Sequence, residues 1–253
     1  MKINRSFILA LCLLSSCNES KEIDIKDFFS LEGDVFLLGE YLADLNFGLH
    51  DIEISSSAES TLLIGIHGSN SEGYEWVYPL KTLNNDTNVV SFFRWDDASC
   101  PDSSIDILLN SIKTRLDQSS NLNKVILIGH SYGGLLVTTL SKKWDIDVPL
   151  NIHSVAGPLK GMGMLFSLCN YQPPSALGTG ISLHQWRTIH ELDGAFKDLD
   201  YDPQVVEIKK SNVTRLPKTY KGNKLGHNWS ISWVADEISK EAVSYTHLRA
   251  HET

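Results

Sequence analysis

The sequence predicts an α/β fold: a mostly parallel sheet in three layers, with helices on both faces. Two observations carry this. Short apolar runs rich in β-branched residues recur along the chain, at Thr61–Ile66, Val89–Phe93, Val125–Ile128 and Leu150–Val155. Such continuous runs mark strands buried on both faces. Between them lie segments whose apolar residues repeat at helical spacing, so strand and helix alternate, which is the signature of a parallel sheet. The chain has 253 residues, enough for one domain with a sizeable core, and no linker or internal repeat divides it.

In order, Val35–Leu38 and Gly48–Ile54 read as edge strands that open the sheet. Thr61–Ile66 is the first buried strand and ends in His67-Gly68-Ser69-Asn70. Tyr74–Leu83 follows as a helix, with Trp76, Val77, Leu80 and Leu83 on one side. Val89–Phe93 is the next strand, and its end carries Arg94-Trp95-Asp96-Asp97. Ser103 or Ser104 is suited to cap a helix with an apolar face of Ile105, Leu108, Leu109, Ile112 and Leu116. The strand in Lys124–Gly134 (KVILIGHSYGG) breaks at Gly129-His130-Ser131-Tyr132-Gly133 and leads into a helical segment, Leu135–Leu140. Leu150–Val155 is a fifth strand and Ser182–Leu192 another. Val205–Ile208 with Val213–Leu216 supplies the last, and Ile231–Ile238 reads as a closing helix.

The two ends stand apart from this pattern. Lys2 and Arg5 precede an apolar stretch, Phe7–Leu14, too short to span a membrane as a mature helix. Leu14-Ser15-Ser16-Cys17 then resembles a bacterial lipobox, in which the cysteine is lipidated and becomes the new N-terminus. An ordinary secretory signal peptide with an incidental cysteine is the alternative. The expected organisation is a lipoprotein signal at 1–17, a polar tether at 18–34 and one domain at 35–243. Residues 244–253 (SYTHLRAHET) do not continue the preceding helix pattern and look like a non-native tail, so His247 and His251 are set aside. Export places Cys100 and Cys169 in an oxidising compartment, either bridged or as two buried thiols. The formal charge of −9 argues against a nucleic-acid surface.

The chemistry centres on Ser131. Strand, G-x-S-x-G, helix is the context of a nucleophile elbow, in which a strained turn projects the serine at the carboxyl edge of the sheet. A serine hydroxyl needs a base, a group to orient the base and donors for the oxyanion. His227, in the glycine-flanked loop Leu225–Trp229, is the candidate base. His67 precedes the oxyanion turn, His130 should point away from its neighbouring serine, and His153, His184 and His190 fall in strand-like stretches. Asp193 is the candidate acid; Asp198, Asp200 and Asp202 follow within ten residues, with Asp202 the main rival. The expected oxyanion donors are the N–H groups of Ser69 and Tyr132, with Asn70 or Ser71 as further contributors.

These pieces resemble the α/β-hydrolase superfamily, and its lipase/esterase branch in particular, over about residues 35–240. The resemblance implies acyl transfer on Ser131 with His227 as proton shuttle, acting on a small-molecule or lipid ester, with no cofactor and no metal. The segment 159–180 is short for a lid, and Met162, Met164, Leu165 and Phe166 read equally as an acyl pocket or as core. A thioesterase, an amidase, an acyltransferase or a non-catalytic binding lipoprotein on the same fold stays open.

Overall fold

The computed structural model describes residues 25–53, 58–163 and 168–250. Seven strands form one sheet: β1 (Gly48–Asp51), β2 (Thr61–Ile66), β3 (Asn88–Arg94), β4 (Lys124–His130), β5 (Leu150–Val155), β6 (Ile181–Arg187) and β7 (Asn212–Arg215). Their order is β1-β3-β2-β4-β5-β6-β7. Every pair is parallel except β1 against β3. Alternate residues of the buried strands serve opposite faces. Leu62, Ile64 and Ile66 of β2 pack with α3 (Pro101–Asp117) and α4 (Tyr132–Leu140). Leu63 faces the other side, with α1 (Val35–Ala43), α2 (Tyr74–Leu83) and α5 (Trp229–Ala250). The result is the three-layer arrangement expected from the alternating pattern.

The topology fixes where chemistry can happen. From β2 the chain winds to β3 on one side, and from β4 it winds to β5 on the other. The reversal lies between β2 and β4, paired from Thr61↔Lys124 to Ile66↔Gly129. Crevices in open parallel sheets form at such a reversal, outside the carboxyl ends of the strands. Those ends carry His67-Gly68-Ser69 and Ser131.

Several elements differ from the sequence reading. Val35–Leu38 is not a strand but the first turn of α1, because Asp34 caps it: its carboxylate accepts from the N–H groups of Phe36 (3.0 Å) and Leu37 (2.9 Å). The helix seats Leu38, Gly39 and Leu42 against α2 and the sheet. β1 stops at Asp51, and residues 54–57 lie outside the described ones. α3 starts at Pro101 with Cys100 as its cap, since proline suits a first helical position. β6 ends at Arg187 and gives way to a 3-10 turn at His190–Leu192. Val205–Ile208 forms no strand; the carbonyl of Val206 accepts from the Arg187 guanidinium at 2.7 Å instead of joining a ladder.

A two-stranded hairpin, β8 (Thr219–Tyr220) with β9 (Asn223–Lys224), was not anticipated. Its Lys221-Gly222 turn has positive φ at both residues (49° and 79°), as a tight hairpin turn requires. The backbone of α5 runs on through Ala250, so the supposed tail continues the helix as far as that residue. At the other end, Phe28 in the 3-10 segment Ile25–Ser30 is fully buried, so packing begins before Val35. Cys100 and Cys169 are joined in a disulfide. Among the described residues no helix is long and apolar enough to cross a membrane. Cys17 and the remaining signal-like residues lie outside those described.

Candidate active site

Ser131 sits between β4 and α4 at φ 53° and ψ −120°. An L-residue is strained there and persists only where its surroundings impose it. Here they do. A Cβ on Gly133 would lie 2.4 Å from the carbonyl oxygens of both Ile66 and His67, so only glycine lets α4 start this close to β2. Tyr132 is the first residue of α4, and its N–H therefore has no acceptor inside the helix. Its hydroxyl is engaged elsewhere, on the Ser99 carbonyl at 2.9 Å.

The turn after β2 lies against this serine. A Cβ on Gly68 would come 2.7 Å from the Ser131 Cβ and 3.0 Å from the His130 carbonyl oxygen. His67 holds the turn from behind. Its Nδ1 is 2.8 Å from the Gly68 carbonyl oxygen, and its Nε2 receives N–H groups of Arg94 (2.8 Å) and of the Trp95 backbone (3.1 Å). Trp95 Nε1 donates to the His67 carbonyl at 3.0 Å. This pattern requires a neutral imidazole carrying its proton on Nδ1, and burial lowers the His67 pKa to about 4. The Asn70 N–H donates to Asp97 at 2.5 Å. The Arg94-Trp95-Asp96-Asp97 segment that ends β3 thus braces the turn carrying Ser69. Ser69 and Asn70 are exposed on the cleft rim, while Ser71 gives its hydroxyl to Glu75.

On the other side, Asp193 accepts from His227 Nδ1 at 2.9 Å. The same oxygen takes the Thr188 hydroxyl at 2.5 Å, and its partner takes the Ala195 N–H at 2.8 Å. Asp193 is fully buried. Burial alone pushes its carboxyl up; the bonds from His227, Thr188 and Ala195 outweigh that and hold it below the usual carboxylate range. Asp202 lies elsewhere, paired with Arg215 at 3.1 Å and bonded to Gln204. Asp198 pairs with Lys197, and Asp200 is exposed.

His130 does not turn away. Its ring packs 4.7 Å from that of His227, and its Nε2–H donates to the His227 carbonyl at 3.1 Å. The His227 ring also packs nearly perpendicular to that of Phe196, with centroids 5.0 Å apart. Burial, with His227 nearby, drives the His130 pKa down to about 3, so it stays neutral. Nothing in the sequence pattern marked this brace, which joins positions 97 residues apart, nor the Thr188 hydroxyl on Asp193, which closes locally across the 3-10 turn. His153 and His184 lie in β5 and β6 and stack with Trp186, and His190 begins the 3-10 turn.

Ser131, His227, His130 and the turn Gly68–Ser71 line one cleft of about 180 Å3, together with Glu72, Tyr74, Glu75 and Asn228. A larger depression, about 640 Å3, lies between β1 and α3 and shares none of these residues. Among the described residues no group of histidine, cysteine or carboxylate side chains could hold a metal ion.

No family model matches the sequence, and no curated protein matches it. Solved structures do. Est1E from Butyrivibrio proteoclasticus superposes with a TM-score of 0.52 at 13% identity, covering 78% of this chain and 92% of its own. The chain has the α/β-hydrolase fold. Looser likenesses are a lipase-esterase related protein from Clostridium acetobutylicum (TM-score 0.49, 14% identity, 78% and 98% covered) and an a/b serine hydrolase without lid from Xanthomonas campestris (0.48, 13%, 78% and 87%). In this chain the sequence-predicted site residues sit at the ends of β2 and β4 and in the loops after β6 and before the last helix. Those are the positions of Gly68, Ser131, Asp193 and His227.

Proposed function

We propose that this chain is a serine hydrolase cleaving carboxylic esters through an acyl-enzyme on Ser131. The observation that carries the reading is the bond from His227 Nδ1 to the buried Asp193 at 2.9 Å, in a loop that shares its cleft with the strained Ser131. In this mechanism Asp193 fixes the imidazole with its proton on Nδ1. His227 Nε2 then takes the Ser131 proton as the hydroxyl attacks the ester carbonyl. The N–H groups of Tyr132 and Ser69 receive the oxyanion, aided by the positive end of α4. Collapse of the tetrahedral intermediate expels the alcohol, protonated by His227. Water, activated by the same histidine, frees the acid and regenerates Ser131. The carboxylate of Asp193 remains ionised and stabilises the imidazolium.

A fluorophosphonate probe tests the reading. Labelling of the wild type and none of Ser131→Ala is expected; a folded wild-type sample that resists labelling refutes it. Parallel assays with an ester, a thioester and an anilide of one acid then rank the leaving groups.

The proposal extends to location. Lipid on Cys17 would tether the hydrolase to a bacterial membrane, on the periplasmic side or at the cell surface. Cys17→Ala is expected to move the protein from the pelleted membranes to the soluble fraction, and retention in the pellet refutes the anchor.

A further inference from the structure

The cleft around Ser131 is too small for a whole substrate. Its 180 Å3 falls below the roughly 300–1,000 Å3 of small-molecule sites. A second cavity, however, adjoins it. A groove of about 530 Å3 begins at Tyr74, Glu75 and Asn228, all three of which also line the cleft. Asn228 adjoins His227 in sequence, and its amide donates to the Tyr74 hydroxyl at 3.0 Å, so this bridge lies at the boundary of the two spaces.

Two aromatic pairs line the groove. Phe36 of α1 lies 5.3 Å from Tyr74 of α2, and Tyr220 of the hairpin lies 5.9 Å from Trp229 of α5. Val35 and Tyr78 add to the lining. Phe36 is 63% exposed and Trp229 45%. Exposed apolar side chains scattered singly need no explanation; gathered in one concavity beside the cleft of Ser131, they mark a binding surface.

Charge narrows the occupant. The cleft carries Glu72 and Glu75 and no lysine or arginine. The one cation of the groove, Lys221, is already engaged: its ammonium lies 2.8 Å from the Tyr78 hydroxyl, 3.8 Å from Asp236 and 4.2 Å from the centre of the Tyr78 ring. An anionic limb would meet carboxylates at the entrance and no free cation inside. We infer that the groove between α1, α2, the β8–β9 hairpin and α5 binds the apolar limb of an uncharged ester whose carbonyl lies at Ser131. This rests on the hydrolase reading for the position of the carbonyl only.

Binding and turnover separate the two. Calorimetry with Ser131→Ala and a neutral ester bearing a benzyl or hexyl limb should show binding, weakened about tenfold by Phe36→Ala or Trp229→Ala, the loss expected for one exposed aromatic contact surface. Ile107→Ala, in the remote depression between β1 and α3, should leave it unchanged. In the active protein, kcat/KM should rise with limb size in a series of methyl or acetate esters, and the two groove variants should flatten that rise. Binding unaffected by Phe36→Ala and Trp229→Ala, or a flat series in the wild type with Ser131 still labelled, overturns the groove and leaves the hydrolase. Binding with no labelling of Ser131 does the reverse. Loss of adhesion to phosphatidylcholine–phosphatidylglycerol vesicles in the two variants, with ester binding intact, would make this face a membrane seat and also overturn the inference.

Discussion

The two halves of the site are built on different principles. The half around Ser131 and Gly68 is made of backbone: a strained turn, two glycines at which a Cβ would collide with neighbouring carbonyls, and the start of α4. The half around Asp193 and His227 is made of side chains hung on loops and tied by hydrogen bonds to Thr188, Ala195 and His130. A backbone device fails when bulk is added. A side-chain device fails when one polar atom is changed at constant shape. Each half therefore has its own most damaging substitution.

The largest effect is expected in the side-chain half. Asp193→Asn keeps the shape but presents an amide to Nδ1, which favours the wrong tautomer; the cost in kcat for such a change is about 10⁴-fold, or about 5.5 kcal/mol. Asp202→Asn should change ester turnover less than a few-fold, because Asp202 pairs with Arg215 rather than with His227. If only the second substitution abolished turnover, the acid would be misassigned and the contrast between the halves would collapse.

Next comes a test that should leave both halves working. The disulfide ties the loop after β3 to the segment after β5 across 69 residues. By chain entropy such a closure contributes about 4 kcal/mol. Cys100→Ser with Cys169→Ser should lower the free energy of unfolding in urea by about that amount, with kcat nearly kept at a temperature where the fold persists. A large fall in kcat with little change in stability would mean that the bridge shapes the oxyanion turn.

These halves were unequally legible in the sequence. The backbone half is local: G-x-S-x-G behind an apolar run and His-Gly behind another are each read within a few residues, and the strands carrying them are buried and continuous. The side-chain half is joined across long separations, 34 residues from Asp193 to His227 and 97 from His130 to His227. Pattern could rank Asp193 over Asp202 but not place either, and it sent His130 the wrong way. The elements misread follow the same logic. Val35–Leu38 is an apolar tetrad that suits strand or helix, and the Asp34 cap decided it. Val205–Ile208 is strand-like in composition but is held by Arg187. The groove was invisible because its walls come from α1, α2, the hairpin and α5, none of which carries a motif.

In the backbone half, Gly68→Ala is the matching probe. The added methyl would sit 2.7 Å from Ser131 Cβ, against backbone that Trp95 and His67 hold in place. Turn and serine must move apart, and losing one oxyanion donor costs roughly 10²–10³-fold in kcat. Stability should fall less than kcat. An unchanged kcat with normal labelling of Ser131 would show that this turn gives no donor and that the backbone half is smaller than described.

The smallest effect joins the halves through two buried imidazoles, His67 behind the turn and His130 behind His227. Burial lowers their pKa values to about 4 and about 3, against about 6.5 in an unfolded chain. The unfolded state therefore binds the extra proton first. Each imidazole contributes stability that is complete above pH 6.5 and declines as pH falls toward the folded value, at up to about 1.4 kcal/mol per unit. Asp193 acts in a lower window: its depressed pKa contributes stability above the ordinary carboxylate value that is lost as pH falls through the folded one. Urea titrations of wild type, His67→Gln and His130→Gln between pH 7 and 4.5 should give curves whose difference from wild type narrows by about that slope, because each variant lacks one proton of the linkage. A constant difference for His130→Gln would mean that this imidazole takes up its proton in the fold as readily as in the unfolded chain, and so is protonated below about pH 6.5. It would then carry a positive charge against His227, and the side-chain half would rest on repulsion rather than on a neutral hydrogen bond.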